Sequence, residues 1–132
     1  MGILHIPIEI TGDRTAKVQA LVDTGAALTV IPADLAEKLG IMGRHAYRAM
    51  LADGRVRVMK AGTADIKVKG RNAPATVLIS PRGSAVLLGA ETLELLEFSV
   101  DLKHGRLRAK WPTYSLMAAR STASRETRRR HR

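Results

Sequence analysis

Apolar residues alternate with polar ones over much of the chain, and a period of two favours short β-strands over long helices. Ile6, Ile8 and Ile10 share one face, and the proline between them suits an edge strand because proline cannot donate a ladder hydrogen bond. A second strand is predicted over residues 16–22. Further strands are predicted over residues 47–52, 55–60, 63–69, 73–79, 86–88, 98–102 and 106–110. The pattern therefore predicts a mainly β fold.

Two short helices and a tight hairpin interrupt these strands. Pro32 suits a first helical position and Gly40 suits the position just past a helix end, so a helix is predicted between them. The apolar stretch 28–31 leads into it. A second helix is predicted from Ala90 to about Leu96. Asp53-Gly54 is a strong signal for a β-hairpin.

Composition restricts the class of protein. A chain of 132 residues suits one domain, and the absence of cysteine excludes disulfides and Cys-ligated zinc. The four histidines, at positions 5, 45, 104 and 131, have no metal-ligand spacing. No apolar run is long enough for a transmembrane helix, so no membrane association is expected. The N-terminus lacks the features of a signal peptide, and we expect a cytoplasmic protein.

The positive charge is concentrated at the C-terminus. The chain has a formal net charge of +10, and residues 113–132 contribute half of it through six arginines and one glutamate. We therefore divide the chain into a folded domain, residues 1–112, and a basic tail, residues 113–132, that is predicted to be disordered. The tail could serve solubility or weak contact with nucleic acid or an acidic partner. With only four aromatic residues in the chain, base-stacking recognition is not expected.

The stretch ALVDTGAALTVIP, residues 20–32, places a single carboxylate, Asp23, in apolar surroundings. Burial of an isolated carboxylate is unfavourable unless the group has a partner or hydrogen bonds. One interpretation is an aspartate that opens a turn and accepts backbone N–H groups. A second segment, AVLLGAETLELL at residues 85–96, repeats the apolar strand, the Gly-Ala step and the helix, but it lacks the carboxylate.

Three of these features together resemble the retropepsin-like aspartic proteases: DTGA at 23–26, the Asp-Gly hairpin at 53–54 and LLGA with its helix at 87–96. The resemblance covers about residues 3–112. It implies a single-lobed, closed acid-protease barrel with one or two short helices, and an aspartic endopeptidase that cleaves peptide or protein substrates. Because hydrolysis by carboxylates needs both a base and an acid, and one chain supplies one Asp-Thr-Gly, the resemblance implies a homodimer with two Asp23 side chains. Water is then the nucleophile, and no metal or cofactor is expected.

The resemblance also implies roles for the neighbours of Asp23. Thr24 would form a hydrogen bond across the dimer axis, and Gly25 would let backbone approach the carboxylate. Ala26 would bring no hydroxyl to the site. Leu88 and Gly89 would support the active-site loop from below.

The hairpin over residues 47–60 resembles the flap that closes over bound peptide in this family. Its tip would be Ala52, Asp53 and Gly54, and its charge departs from the glycine-rich, apolar tip of retroviral members. Asp101 is not followed by Thr-Gly or Ser-Gly, and we interpret it as structural.

Two alternatives to proteolysis stay open. The chain could be a dimeric binding or scaffold module that has the same fold without activity. It could also be an accessory protein that associates with nucleic acid through its basic tail.

Overall fold

The computed structural model describes residues 3–50 and 53–111. The elements in this part of the chain are β1 (His5–Thr11), β2 (Thr15–Val22), β3 (Thr29–Pro32), α1 (Ala33–Leu39), β4 (His45–Met50), β5 (Val56–Val68), β6 (Arg71–Ser80), β7 (Leu87–Leu88), α2 (Ala90–Leu95), β8 (Phe98–Asp101) and β9 (Arg106–Ala109). Strands predominate, which confirms the prediction of a mainly β fold with two short helices.

Seven of the strands form one sheet in the order β1-β2-β7-β3-β6-β5-β4, and β8 pairs with β9 in a second, two-stranded sheet. The short strand β7 lies between β2, with which it is parallel, and β3, with which it is antiparallel. Strand β1 pairs with β2 and additionally with β5. Because β1 pairs with both β2 and β5, the pairings link β1, β2, β7, β3, β6 and β5 in a ring, and β4 extends the sheet from β5.

Two parts of the sheet differ from the sequence prediction. Residues 55–60 and 63–69 were expected as separate strands, but β5 is continuous from Val56 to Val68. Gly62 is not a break in this strand: a Cβ there would lie 2.5 Å from the carbonyl oxygen of Met42, so the glycine allows another backbone segment to pass close by. The stretch before α1 also forms a strand, β3, which pairs with β6 and β7.

Both predicted helices are present. Pro32 is the N-cap of α1 rather than its first residue, and Gly40 ends the helix in the left-handed conformation with φ of 71°. In α2, Leu93 is buried, and so is Leu96, the C-cap that follows the helix. Within the described residues, neither helix has the length and apolar character needed to span a bilayer.

A buried arginine ties the end of the described domain to its body. The Arg71 guanidinium donates hydrogen bonds to the carbonyl oxygens of Leu96 and Glu97, each at 3.0 Å, and to that of Trp111 at 2.7 Å. It also lies 4.8 Å from the centre of the Phe98 ring, a distance suited to a cation–π contact. These contacts satisfy the buried charge and attach the segment after α2 to the start of β6.

Candidate active site

Asp23 is the first residue after β2, and both sides of the strand end are held by backbone hydrogen bonds. The Asp23 amide donates to the carbonyl oxygen of Leu88 at 3.0 Å. The Val22 amide donates to the carbonyl oxygen of Leu4 at 2.8 Å, and the Leu21 amide donates to the carbonyl oxygen of Val86 at 2.9 Å. The position of the Asp23 backbone is therefore set by the sheet rather than by the loop that follows it.

The Asp23 carboxylate lies in a tight turn with its neighbours. Its Oδ1 accepts the backbone N–H of Gly25 at 3.0 Å, and its backbone carbonyl accepts the N–H of Ala26 at 3.1 Å. A Cβ on Gly25 would stand 3.2 Å from the same Oδ1, which is closer than most side chains tolerate. Asp23 is partly exposed, and Thr24 and Gly25 are exposed. Asp23, Thr24 and Gly25 thus form a surface whose outer side is not covered by the other described residues of the chain.

Leu88 and Gly89 lie directly against this loop. In the parallel pairing of β2 with β7, Val22 is opposite Leu88, so Gly89 follows at the level of Asp23. A Cβ on Gly89 would lie 2.4 Å from the carbonyl carbon and oxygen of Leu28, so only glycine fits between the two segments without a backbone shift.

The first turn of α2 completes the connection. Its Ala90 amide donates to the carbonyl oxygen of Ala26 at 2.8 Å, and its Glu91 amide donates to that of Ala27 at 2.9 Å. The first amides of a helix have no partner inside the helix, and here the loop after Asp23 supplies two. The loop and the helix consequently hold each other in place.

Two threonines that the sequence analysis missed join the same segments from inside. The Oγ1 atoms of Thr29 and Thr92 are 2.7 Å apart, and the Gly89 amide donates to the Thr29 hydroxyl at 3.1 Å. Both threonines are fully buried. Thr29 occurs as a single polar residue within the apolar run 26–31, a sequence signal that could have drawn attention to it, whereas Thr92 directly follows Glu91 and has no such signal.

The predicted flap is a β-hairpin formed by β4 and β5, paired in register from His45 with Ala61 to Met50 with Val56. At its tip, Asp53 accepts the Arg55 backbone N–H at 3.0 Å and its Nε–H at 2.6 Å. Gly54 has φ of 86°, as expected for a turn glycine. Ala52 lies outside the described residues.

Asp101, which we interpreted as structural, has local partners. It accepts hydrogen bonds from the backbone N–H of His104 at 3.1 Å and pairs with its ring Nδ1 at 2.8 Å. The Nε of Arg106 is 3.8 Å away. The hydrogen bond with the His104 side chain is the largest of the effects that lower the pKa of Asp101 below its ordinary value. These contacts hold the Asp101 side chain within the β8–β9 hairpin.

In the described part of the chain, no cluster of three or more His, Cys, Asp and Glu side chains has the arrangement of a metal site.

Comparison with known proteins agrees with this geometry. Residues 6–94 match the model of a family described as gag-polyprotein putative aspartyl protease. The chain is 31% identical over 117 residues to DNA damage-inducible protein 1 of Neurospora crassa, an alignment that covers 80% of this chain and 24% of that protein. It is 30% identical to the UBA domain-containing protein Mud1 of Schizosaccharomyces pombe, over 80% of this chain and 32% of that protein. The chain thus spans a third or less of these two relatives.

Among solved structures, the fold is similar to the retroviral protease-like domain of Ddi1 from Leishmania major. The TM-score is 0.57 at 20% sequence identity, and the match covers 83% of this chain and 89% of that one. At this identity the likeness concerns the fold alone.

Proposed function

The chain belongs to the gag-polyprotein putative aspartyl protease family of retropepsin-like proteins, and from that premise we propose that it is an aspartic endopeptidase that acts as a homodimer. The observation that carries the proposal is the placement of Asp23. Its backbone is fixed by β7, Gly25 donates to one of its oxygens, and the outer side of its turn is open. One chain offers one such carboxylate, and a two-fold axis through the turn supplies the second.

In the proposed mechanism the two Asp23 carboxyl groups share one proton, because two neighbouring negative charges resist joint ionisation. The ionised carboxylate removes a proton from a water molecule while the oxygen of that water forms a bond to the peptide carbonyl carbon. The protonated carboxyl donates its proton to the carbonyl oxygen, which gives a neutral diol. The diol then collapses: the ionised carboxylate takes a proton from one diol hydroxyl, the carbon–nitrogen bond breaks, the nitrogen takes the proton held by the other carboxyl, and a carboxylic acid and an amine are left.

The neighbours of Asp23 have supporting roles in this proposal. Thr24 is exposed beside the carboxylate, where its hydroxyl could bond to the partner chain across the axis. Gly25 directs an N–H at the carboxylate, and Ala26 holds the turn and contacts α2 through its carbonyl oxygen. Leu88 and Gly89 brace the loop from the adjacent strand. The β4–β5 hairpin, with Asp53 and Gly54 at its tip, acts as the flap over bound substrate.

The test combines mass and activity. The full chain is studied by sedimentation equilibrium, and cleavage of an unfolded protein is followed from pH 3 to 7 with and without an aspartic-protease inhibitor. We expect a dimer, and we expect Asp23→Asn to lower the cleavage rate by at least about 100-fold, the lower range for loss of general acid–base catalysis. Asp65→Asn is the matched control, because Asp65 is exposed on β5 and away from the Asp23 turn.

Cleavage that survives Asp23→Asn, or activity in a strictly monomeric species, would contradict the mechanism. A dimer that binds peptide but never cleaves it would instead favour a non-proteolytic binding module with the same fold.

A further inference from the structure

One face of the β4–β5 hairpin carries apolar side chains that nothing in the described chain covers. The even-numbered residues of β5 share a face, because strand side chains alternate. From Gly62 to Val68 that face is buried in the core, but at Val56 and Val58 it is 59% and 65% exposed. Met50, which pairs with Val56 and so shares its face, is 76% exposed. The apolar pattern of the core strand thus continues onto an open surface.

The same face carries two unpaired cations. Arg48 pairs in register with Val58, and Lys60 continues the even-numbered side of β5, so both share the face of the apolar residues. Both side chains are exposed, and within the described residues neither has an acidic partner. We call this surface, formed by Arg48, Met50, Val56, Val58 and Lys60, the hairpin face.

The charge of the hairpin is unusual for this domain. Residues 44–60 contain five basic residues and one acidic residue, a net charge of +4, whereas the whole of residues 1–112 has a net charge of +5. The single acidic residue, Asp53, already pairs with Arg55. Nearly all the excess positive charge of the folded domain is therefore concentrated on one hairpin, and an anionic ligand would be attracted to it.

The chemistry of the hairpin face favours an extended polypeptide. A second copy of the same hairpin would bring an equal positive charge and would be repelled. Single-stranded nucleic acid is usually bound on aromatic stacking platforms, but the hairpin's aromatic residue, Tyr47, pairs with Met59 and so lies on the opposite face. In the part of the chain that the structure describes, β4 is the last strand of the sheet, so its outer edge offers main-chain hydrogen bonds to an added strand.

We propose that the hairpin face selects extended polypeptide substrates in which acidic and apolar residues stand two positions apart. The inference rests on the proposed function, because it assigns the substrate class of the same site. Glutamate or aspartate side chains pair with Arg48 and Lys60, and apolar side chains on the same side of the substrate cover Met50, Val56 and Val58. Because successive strand side chains point to opposite faces, residues two positions apart lie on the same side of the substrate and make both kinds of contact.

Binding is measured separately from cleavage. Full-length Asp23→Asn protein is titrated against fluorescein-labelled peptides that share an apolar centre and carry two Glu, two Gln or two Lys at alternate flanking positions. An exposed ion pair changes affinity by roughly 1.4- to 5-fold, so two pairs should favour the Glu peptide over the Gln peptide by about 2- to 25-fold at low salt. The preference should disappear near 1 M salt, where the screening length is about 3 Å.

Variants then locate the effect. Arg48→Gln/Lys60→Gln should remove the preference, and Arg48→Glu/Lys60→Glu should reverse it toward the Lys peptide. The matched control is Arg57→Gln/Lys69→Gln, which also removes two exposed cations: Arg57 lies on the opposite face of the hairpin and Lys69 in the β5–β6 turn. The control should keep most of the preference.

Each other outcome would overturn the inference. Equal affinity for the three peptides would remove the proposed selection, and a preference that survives Arg48→Gln/Lys60→Gln would place it on another surface such as the basic tail. Stronger binding of a single-stranded oligonucleotide through the same two residues would identify the face as a nucleic-acid site. If the Glu peptide binds as expected but wild-type protein cleaves none of the peptides, the proteolytic function fails while the hairpin face stands as a ligand site.

Discussion

The segments around Asp23 and Gly89 are joined by contacts within the chain, whereas the β4–β5 hairpin has one face open to solvent. Around Asp23, backbone groups and buried hydroxyls from the two segments satisfy one another, and Gly89 leaves no room for a side chain. On the hairpin, the side chains of one face and two of its cations meet solvent. In the function that we propose, this difference separates two requirements: the carboxylate stands on a rigid frame, and substrate contact is left to an open surface.

The largest effect on stability should come from filling the space at Gly89. Gly89→Ala would place a methyl group 2.4 Å from the Leu28 backbone, so the two segments must move apart. Overpacking of this kind costs about 3 kcal/mol of unfolding free energy. The measurement is urea unfolding of the full chain.

Gly54→Ala in the hairpin is the control for this prediction. A Cβ at Gly54 meets no atom of the described residues within 4 Å, but φ of 86° disfavours alanine. We expect a cost of about 1 kcal/mol from the backbone alone. If Gly89→Ala destabilised the protein no more than Gly54→Ala, the segments around Asp23 would be packed no more tightly than the hairpin, which would contradict the comparison.

The buried hydroxyl pair is the next test of the frame. Thr29→Val leaves the Gly89 amide and the Thr92 hydroxyl without their partner, which should cost about 1–3 kcal/mol. Thr92→Val should cost less, because the Thr29 hydroxyl still accepts from Gly89. In a double-mutant cycle measured by urea unfolding, the combined variant should lose less stability than the sum of the two single losses. Strict additivity would contradict the hydrogen bond between the two hydroxyls.

These residues also mark how far the sequence could predict the site. Asp23 and Gly25 lie in one recognisable motif, and the LLGA segment indicated Gly89. The contact between the Asp23 turn and the Gly89 segment could therefore be expected. The Thr29–Thr92 bond joins residues 63 positions apart, and no local pattern indicates which buried hydroxyls face each other. The register of β2 on β7 was likewise beyond prediction, because no local pattern in either segment indicates which of their residues lie opposite each other.

The fold, like the site, was predictable where the signal is local and not where it depends on a distant segment. Alternation of apolar residues predicted most strands because burial on one face is a local pattern. It failed at Gly62, where the glycine reflects the approach of Met42 from another segment rather than a turn. At Val56 and Val58 the pattern was correct for a strand, but it could not reveal that the apolar face continues past the core onto an open surface.

The two hairpin aspartates give a smaller, pH-dependent test. Asp101 has a side chain that is 11% exposed and accepts from His104, whereas the Asp53 side chain is 51% exposed. Because these contacts lower the pKa of Asp101 below its ordinary value of 3.8, its contribution to stability is complete above that value. The contribution should be lost as the pH falls through the lower folded-state pKa.

The measurement is the difference in unfolding free energy between wild type and Asp101→Asn from pH 7 downward. The difference should be constant at neutral pH and shrink only below about pH 4, where the unfolded-state carboxyl begins to protonate. A difference that is already lost between pH 7 and 5 would show that the carboxylate is not the group that matters.

The smallest effect on stability is expected at Asp53. Its ion pair with Arg55 is exposed, so Asp53→Asn should change the unfolding free energy by less than about 1 kcal/mol, and the amide oxygen can still accept the Arg55 backbone N–H. The same substitution raises the net charge of residues 44–60 from +4 to +5. Affinity for the Glu peptide should therefore rise by about 2-fold at low salt, within the range of one exposed charge interaction. A large loss of stability without a gain in affinity would show that the hairpin tip is part of the rigid frame. The proposed contrast between the Asp23 region and the hairpin would then be wrong.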